Sequence, residues 1–195
     1  MIKKKLLFPI FPILFLIGCA STPRETADGQ KWSDDWMKIG TTVGVDAPEQ
    51  FSLLDNKETL AADGLYYATW VDGNSMPYEN SEGDTIDLYD AQLYLLTNEA
   101  ISEENANTSC DTWLSAAKTN YEVITEDTIT LNGQSYTLIT YNCTNEDNPY
   151  DHGVSTFGVC GTTAVCAELT CLENYTEDLE TLLTEFLNNC HFKTD

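Results

Sequence analysis

Basic residues are scarce in this chain: nine lysines and arginines stand against 32 acidic residues among 195, a formal net charge of −23. Three of the nine are Lys3, Lys4 and Lys5, so residues 19–195 keep only six and carry a net charge of −26. A surface of this sign is repelled by nucleic-acid phosphates and by anionic headgroups, which excludes a DNA- or RNA-binding role. Histidine is rarer still, with His152 and His191 alone. There is no G-x-S-x-G elbow, Walker loop, H-E-x-x-H helix or dinucleotide glycine pattern. No catalytic residue is assigned on this basis, no cofactor is implied, and the chain leans away from an enzyme. No C-x2-C pair occurs, and the spacings 160/166 and 166/171 fit no zinc module. Asp72-Gly-Asn-Ser begins like a calcium loop, but Met76 and Pro77 stand where such a loop needs a ligand and a glycine. No metal ligand is assigned.

Long hydrophobic runs are also missing, with one exception. Leu6 to Ile17 is apolar, interrupted by Pro9 and Pro12, and preceded by the three lysines. As a helix it would span about 18 Å against a hydrocarbon core of roughly 30 Å, too short to cross. Basic then apolar is the order of an export signal. It ends in Leu16-Ile17-Gly18-Cys19, which resembles the lipobox of bacterial lipoproteins, with Ile17 where a small residue is usual. The resemblance implies cleavage before Cys19 and attachment of diacylglycerol (with palmitate-type acyl chains) to its sulfur. Two or three acyl chains, at about 0.8 kcal/mol per buried methylene, anchor a protein stably. The expected organisation is a signal peptide at 1–18, a lipidated N-terminus and tether at 19–44, and one globular domain at 45–195. The expected location is the extracytoplasmic face of a bacterial membrane.

With 42% apolar residues the chain can bury a core. Residues 20–31 are polar and lack periodicity, as a tether does. Trp32 and Trp36 suggest a short helical turn docking on the domain. Leu65–Val71 reads as a strand, 72–84 as a loop, and Ile86–Leu96 as a strand. Ala106, Cys110, Trp113, Leu114, Ala117 and Tyr121 recur on one helical face, with Ser102 as N-cap. Asn132-Gly133 between Thr128–Leu131 and Ser135–Cys143 signals a hairpin. After a polar loop at 144–153, Val154–Cys160 and Ala164–Cys171 form a second hairpin. Thr176–Asn189 closes the chain as a helix with Leu179, Leu182, Leu183, Phe186 and Leu187 on its apolar stripe. This order predicts an α+β domain, an antiparallel sheet with helices packed on it.

The motifs LYDAQLYLL, NGQSYTLITYNC and AVCAELTC before a helix ending FLNNCHF resemble uncharacterised bacterial lipoproteins over about 45–192. They are also similar to the PsbP-like fold, shared by a photosystem oxygen-evolving-complex subunit and a nuclear Ran-binding protein. That resemblance implies an α/β/α sandwich and no particular activity, since the wider fold serves unrelated binding and accessory roles.

Tracing strand directions from the helix at 103–120 assigns each loop to an end of the sheet. Apart from Cys19, six cysteines remain; an even number in an exported chain favours disulfides over a zinc site, and six cysteines permit fifteen pairings. Cys143 and Cys171 finish strands at one end and form the preferred pair. Cys166–Cys190 with Cys110–Cys160 completes the set. His191, after the last helix, is expected to be a surface or capping residue. The two long polar loops fall at the same end, bringing Asp72, Asp84, Asp147, Asp151 and His152 to one rim. Such a rim could face a protein partner of the envelope, or hold Ca²⁺ through carboxylates, or be merely solvated. The function expected is a non-catalytic binding or accessory module. The alternatives are an envelope hydrolase using His152 with Asp or Glu, and a small-ligand or cation binder.

Overall fold

The structure, a computed structural model, describes residues 26–46, 48–58, 64–80, 82–100, 102–145 and 148–193. Residues 1–25, Cys19 among them, and Asp147 lie outside the described residues. The centre is a seven-stranded antiparallel sheet in the order β3 (Ser52–Glu58), β4 (Leu65–Asp72), β7 (Ala91–Glu99), β11 (Thr163–Cys171), β10 (His152–Cys160), β9 (Gln134–Cys143) and β8 (Tyr121–Leu131). Helix α1 (Glu103–Asn120) packs on one face and α2 (Leu179–Asn188) on the other. The α+β expectation holds. The sheet dominates, and the helices cover its middle rather than building the full sandwich that the resemblance implied.

Alternation of side chains explains which residue meets which helix. In β7, Ala91, Leu93, Leu95 and Thr97 are buried toward α2, and the residues between them are half-buried. The central strands β10 and β11 are buried nearly throughout, because a helix lies over each face. Leu183 and Phe186 of α2 are fully buried, and Phe186 meets the Trp70 ring edge-on at 5.1 Å. Beneath α1 lie Ile139, Tyr141, Phe157 and Cys166.

Local signals place the turns. Ser102 Oγ accepts from the Asn105 N–H at 3.3 Å and caps α1. Asp178 Oδ1 accepts from the Thr181 N–H at 3.0 Å and caps α2, which starts three residues later than its sequence suggests. Asn132 and Gly133 have φ of 50° and 76°, the paired left-handed residues of a tight hairpin turn. Strand β8 begins at Tyr121, directly from the helix, rather than at Thr128. A bulge between Val123 and Thr125 turns Ile124 outward, where it is 60% exposed. The stretch 72–84 is not all loop. Met76–Glu79 (β5) pairs with Thr85–Leu88 (β6) in a separate ribbon, and the expected strand at 86–96 breaks at Tyr89 and Asp90.

The tether boundary needs correction. Met37–Ile39 (β1), Val43–Val45 (β2) and Cys190–Phe192 (β12) form a three-stranded sheet, in the order β1-β2-β12. Val43 and Val45 are buried, Thr26 bridges to Lys193, and the Ala27 N–H donates to the Phe192 carbonyl at 2.8 Å. The domain therefore includes residues from Thr26 onward. Polar composition hid this, because three-residue strands are too short to show a period. The Trp32–Trp36 segment docks as expected, but through bends and a strand rather than a helical turn.

The disulfide pairing also needs correction. All six described cysteines are free thiols. Cys143 belongs with the α1 face, together with Tyr141 and Ile139, and Cys171 with the α2 face, together with Leu169. They lie on β9 and β11 with β10 between, two strand spacings or about 10 Å. A disulfide needs Cα atoms within about 7 Å. The other two pairs fail on the same ground: Cys166 and Cys110 sit on the α1 side, Cys190 and Cys160 on the α2 side.

Candidate functional site

One row of the sheet forms the rim that the strand directions anticipate. Asp72 pairs with Ala91, Ala91 with Cys171, Cys171 with His152, and His152 with Asn142. Asp72 and His152 thus share a rim but stand three strand spacings apart, about 14 Å. Asp151 precedes His152 and joins two neighbouring strands. Its carbonyl accepts from the Cys143 N–H at 2.8 Å, and its N–H donates to the Cys171 carbonyl at 3.0 Å. Asp84 is elsewhere. It lies at the tip of the β5–β6 ribbon, where its N–H donates to Asn80 Oδ1 at 2.8 Å. The rim therefore gathers Asp72, Asp151 and His152, and not Asp84.

Each rim carboxylate is already engaged. Asp72 Oδ2 accepts from the Tyr175 hydroxyl at 2.7 Å, and Asp151 Oδ2 from the Glu173 N–H at 2.7 Å. Asp90 Oδ2 accepts from the Asn74 N–H at 3.0 Å. Gly73, at φ 84°, makes that approach feasible, since a Cβ there would sit 2.1 Å from Asp90 Oδ2. Among the described residues no group of three or more His, Cys, Asp or Glu side chains is placed to hold a metal ion.

His152 Nε2 lies 3.2 Å from the Cys171 sulfur. This contact does not make a nucleophile. Burial, then the charges of Asp151 and Cys143, push the Cys171 thiol up to about 12, so it stays protonated at neutral pH. Burial and Glu168 likewise push Cys143 up to about 12.

Beside His152, on the α2 side of the sheet, opens a cleft of about 480 Å³. Its walls include Thr140 and Asn142 of β9, His152, the outward-turned Ile124, and Leu179 and Glu180 of α2. The bulge in β8 and the cap of α2 together shape it. Sequence reasoning found His152 but not Asn142, Ile124 or Glu180, because the cleft depends on where α2 lands. Reasoning from sequence also missed Glu168. It is the only charged residue of β11, whose sequence is TAVCAELTC, and a lone charge in a mostly apolar strand is the signal that could have found it.

Among the solved structures that resemble the chain are the following two. The solution structure of cyanobacterial PsbP (CyanoP) from Synechocystis has a TM-score of 0.48 and 16% identity, covering 92% of this chain and 98% of that one. A crystal structure from Bacteroides thetaiotaomicron has a TM-score of 0.39 and 8% identity, covering 82% of this chain and 48% of that one. No protein-family model matches the chain. A comparison with curated proteins returns no match.

Proposed function

We infer that this protein is an extracytoplasmic binding or accessory module, held on a bacterial membrane by lipid on Cys19, with the His152 rim and cleft facing an envelope protein. The observation that carries the reading is the separation of two ends. Ala27 and Lys193 line a hollow with Gly161 and Thr162, the turn between β10 and β11, so the chain enters the domain at that end. His152 is at the other end of β10, eight residue steps or about 27 Å away. Only seven steps separate Cys19 from Thr26, a reach of at most about 25 Å. An anchor on Cys19 holds the turn end near the bilayer and presents the rim outward.

A non-catalytic role fits the chemistry of the rim, where the thiol beside His152 is protonated and the carboxylates are taken up by local donors. Among the described residues no helix is long and apolar enough to cross a membrane. The small-ligand alternative has one observation in its favour, the cleft itself. Two experiments test the reading. Cys19→Ser is expected to leave an unprocessed precursor that no fatty-acid probe labels; persistent labelling contradicts the anchor. Asp72→Asn, Asp151→Asn and His152→Gln combined are expected to abolish capture of the native partner from crosslinked membranes, and unchanged capture contradicts the rim.

A further inference from the structure

A second site lies on the opposite sheet face, beneath α1. Glu168 of β11 projects there among tyrosines from β7, β9 and β8. Ser155 Oγ of β10 donates to Glu168 Oε2 at 2.9 Å, and the Tyr121 hydroxyl of β8 lies 3.4 Å from Oε1. Ser155 Oγ also sits 3.2 Å from the Tyr141 hydroxyl. Gly153 keeps this line open, since a Cβ there would lie 2.6 Å from that hydroxyl. A hollow of about 170 Å³ leads to Glu168, walled by Trp113 of α1, Tyr121, Phe157 of β10 and Cys166. Ala116 and Ala117 of α1 leave the space. Among the described residues no lysine, arginine or histidine forms an ion pair with Glu168.

We propose that this hollow binds a small alkylammonium ion, its positive charge on Glu168 and its methyl or methylene groups against Trp113, Tyr121 and Phe157. A half-buried carboxylate is stabilised by a cation or a proton, and among the described residues none pairs with Glu168 as a cation. Aromatic walls suit a cation that also carries apolar surface, because ring faces attract positive charge and the alkyl groups are poorly hydrated. A hydrated metal ion would find too few oxygen ligands here. The hollow's size limits the ligand to a group like methylammonium, tetramethylammonium or choline.

The state of Glu168 supports this reading. Burial raises its pKa above the ordinary carboxylate value, and hydrogen bonds from Ser155, Tyr141 and Tyr121 offset that only in part. The tyrosines and thiols around it are raised too, so they stay neutral at neutral pH. Burial raises Tyr94 of β7 to about 12, and raises Tyr121, Tyr141 and Cys166 as well, each with further contributions from neighbouring charges. Cys143 of β9 is raised to about 12 by burial and Glu168. α1 contributes only Trp113, Ala116, Ala117 and Asn120 to the hollow. Among the described residues that wall the hollow, Glu168 is the one carboxylate, and its ionisation sets the charge there. A cation binds its ionised form, so affinity rises as pH rises through its pKa and then levels off, and binding below that level releases a proton.

Calorimetry with tetramethylammonium and methylammonium, in buffers of differing ionisation heat, tests the proposal. Neopentyl alcohol serves as a neutral analogue of similar shape. The expected result is saturable binding of the ammonium ions with proton release, and weaker binding of the alcohol. Glu168→Gln keeps the hydrogen-bonding shape and is expected to weaken binding at least about 10-fold, and Trp113→Leu to weaken it several-fold with the pH profile retained. No heat with ammonium ions at about 10 mM and pH 8, equal affinity for the alcohol, or unchanged binding by Glu168→Gln overturns it. Soluble choline and phosphatidylcholine vesicles then separate the sources: competition by vesicles assigns the site to a headgroup, and competition by choline alone to a free amine.

Discussion

At one end of the sheet His191 is sealed, its ring stacked on Trp36 at 3.8 Å and its Nδ1 2.8 Å from Asp28 Oδ2. At the other end His152 stands half-buried on the wall of a cleft, with only a protonated thiol against its Nε2. Both histidines follow an acidic or thiol neighbour in sequence, and composition alone treats them alike. The difference comes from what residues 26–38 and 190–193 do. The N-terminal segment crosses over β12 and closes the first end with Thr26, Asp28, Trp32 and Trp36, and Lys38 and Lys193 lie over the Trp32 ring. Nothing described closes the second end in that way. A polar residue locked by aromatic stacking and an acid holds structure together, and one left at a cleft wall is free for a partner. The expectation of a surface role for His191 fails because it is 5% exposed.

The sharpest way to break this comparison is to mutate the two histidines separately. His191→Ala takes from Asp28 its His191 partner, leaving the Thr26 hydroxyl, and removes the Trp36 stack, and is expected to destabilise by about 3 kcal/mol. Chemical denaturation measures it, and a loss no greater than that of a surface substitution would show that the end is not clasped. The acid limb follows from Asp28. Burial would raise its pKa, but the Thr26 hydroxyl and His191 outweigh that and hold it below the ordinary carboxylate value. A carboxyl depressed in the folded state contributes stability above its unfolded pKa of about 3.9 and loses it as pH falls through the lower folded value. Asp28→Asn is therefore expected to flatten the stability profile below about pH 4. Asp178→Ala removes the cap of α2 beside the cleft and is expected to cost about 1 kcal/mol, read as a lowered denaturation midpoint. His152→Ala is expected to change stability by no more than about 0.5 kcal/mol while weakening partner capture. A large loss of stability there would make the two ends equivalent.

The thiols offer a further check on the folded state. Cys143 and Cys171 are raised to about 12, so thiolate is scarce at neutral pH. Alkylation by iodoacetamide is expected to be slow in the native protein and rapid once it is unfolded, with no change in melting temperature on adding reductant. A drop in melting temperature with reductant would restore the disulfides.

Local chemistry in the sequence reached much of this. Ser102, the Asn132-Gly133 turn and the β10–β11 hairpin are set by short-range signals, and the shared rim of Asp72, Asp151 and His152 follows from strand directions alone. What direction cannot supply is the face. Cys143 and Cys171 end at the same rim, yet the parity of each strand sends them to opposite sides, so their proximity was only along one axis. The clasp was hidden for another reason: β1, β2 and β12 have three residues each and join parts of the chain more than 140 positions apart. The cleft required both the bulge at Ile124 and the landing of α2, neither of which has a signature in a single strand.

The most direct test of an outward-facing rim is a pair of photo-crosslinking amino acids in the full-length protein expressed in its host, one at Asn142 on the cleft wall and one at Thr162 in the turn at the opposite end. In intact cells the account predicts a discrete protein adduct from position 142, lost when Asp72, Asp151 and His152 are neutralised together, and lipid or no adduct from position 162. A discrete protein adduct from position 162 with none from position 142 would contradict it.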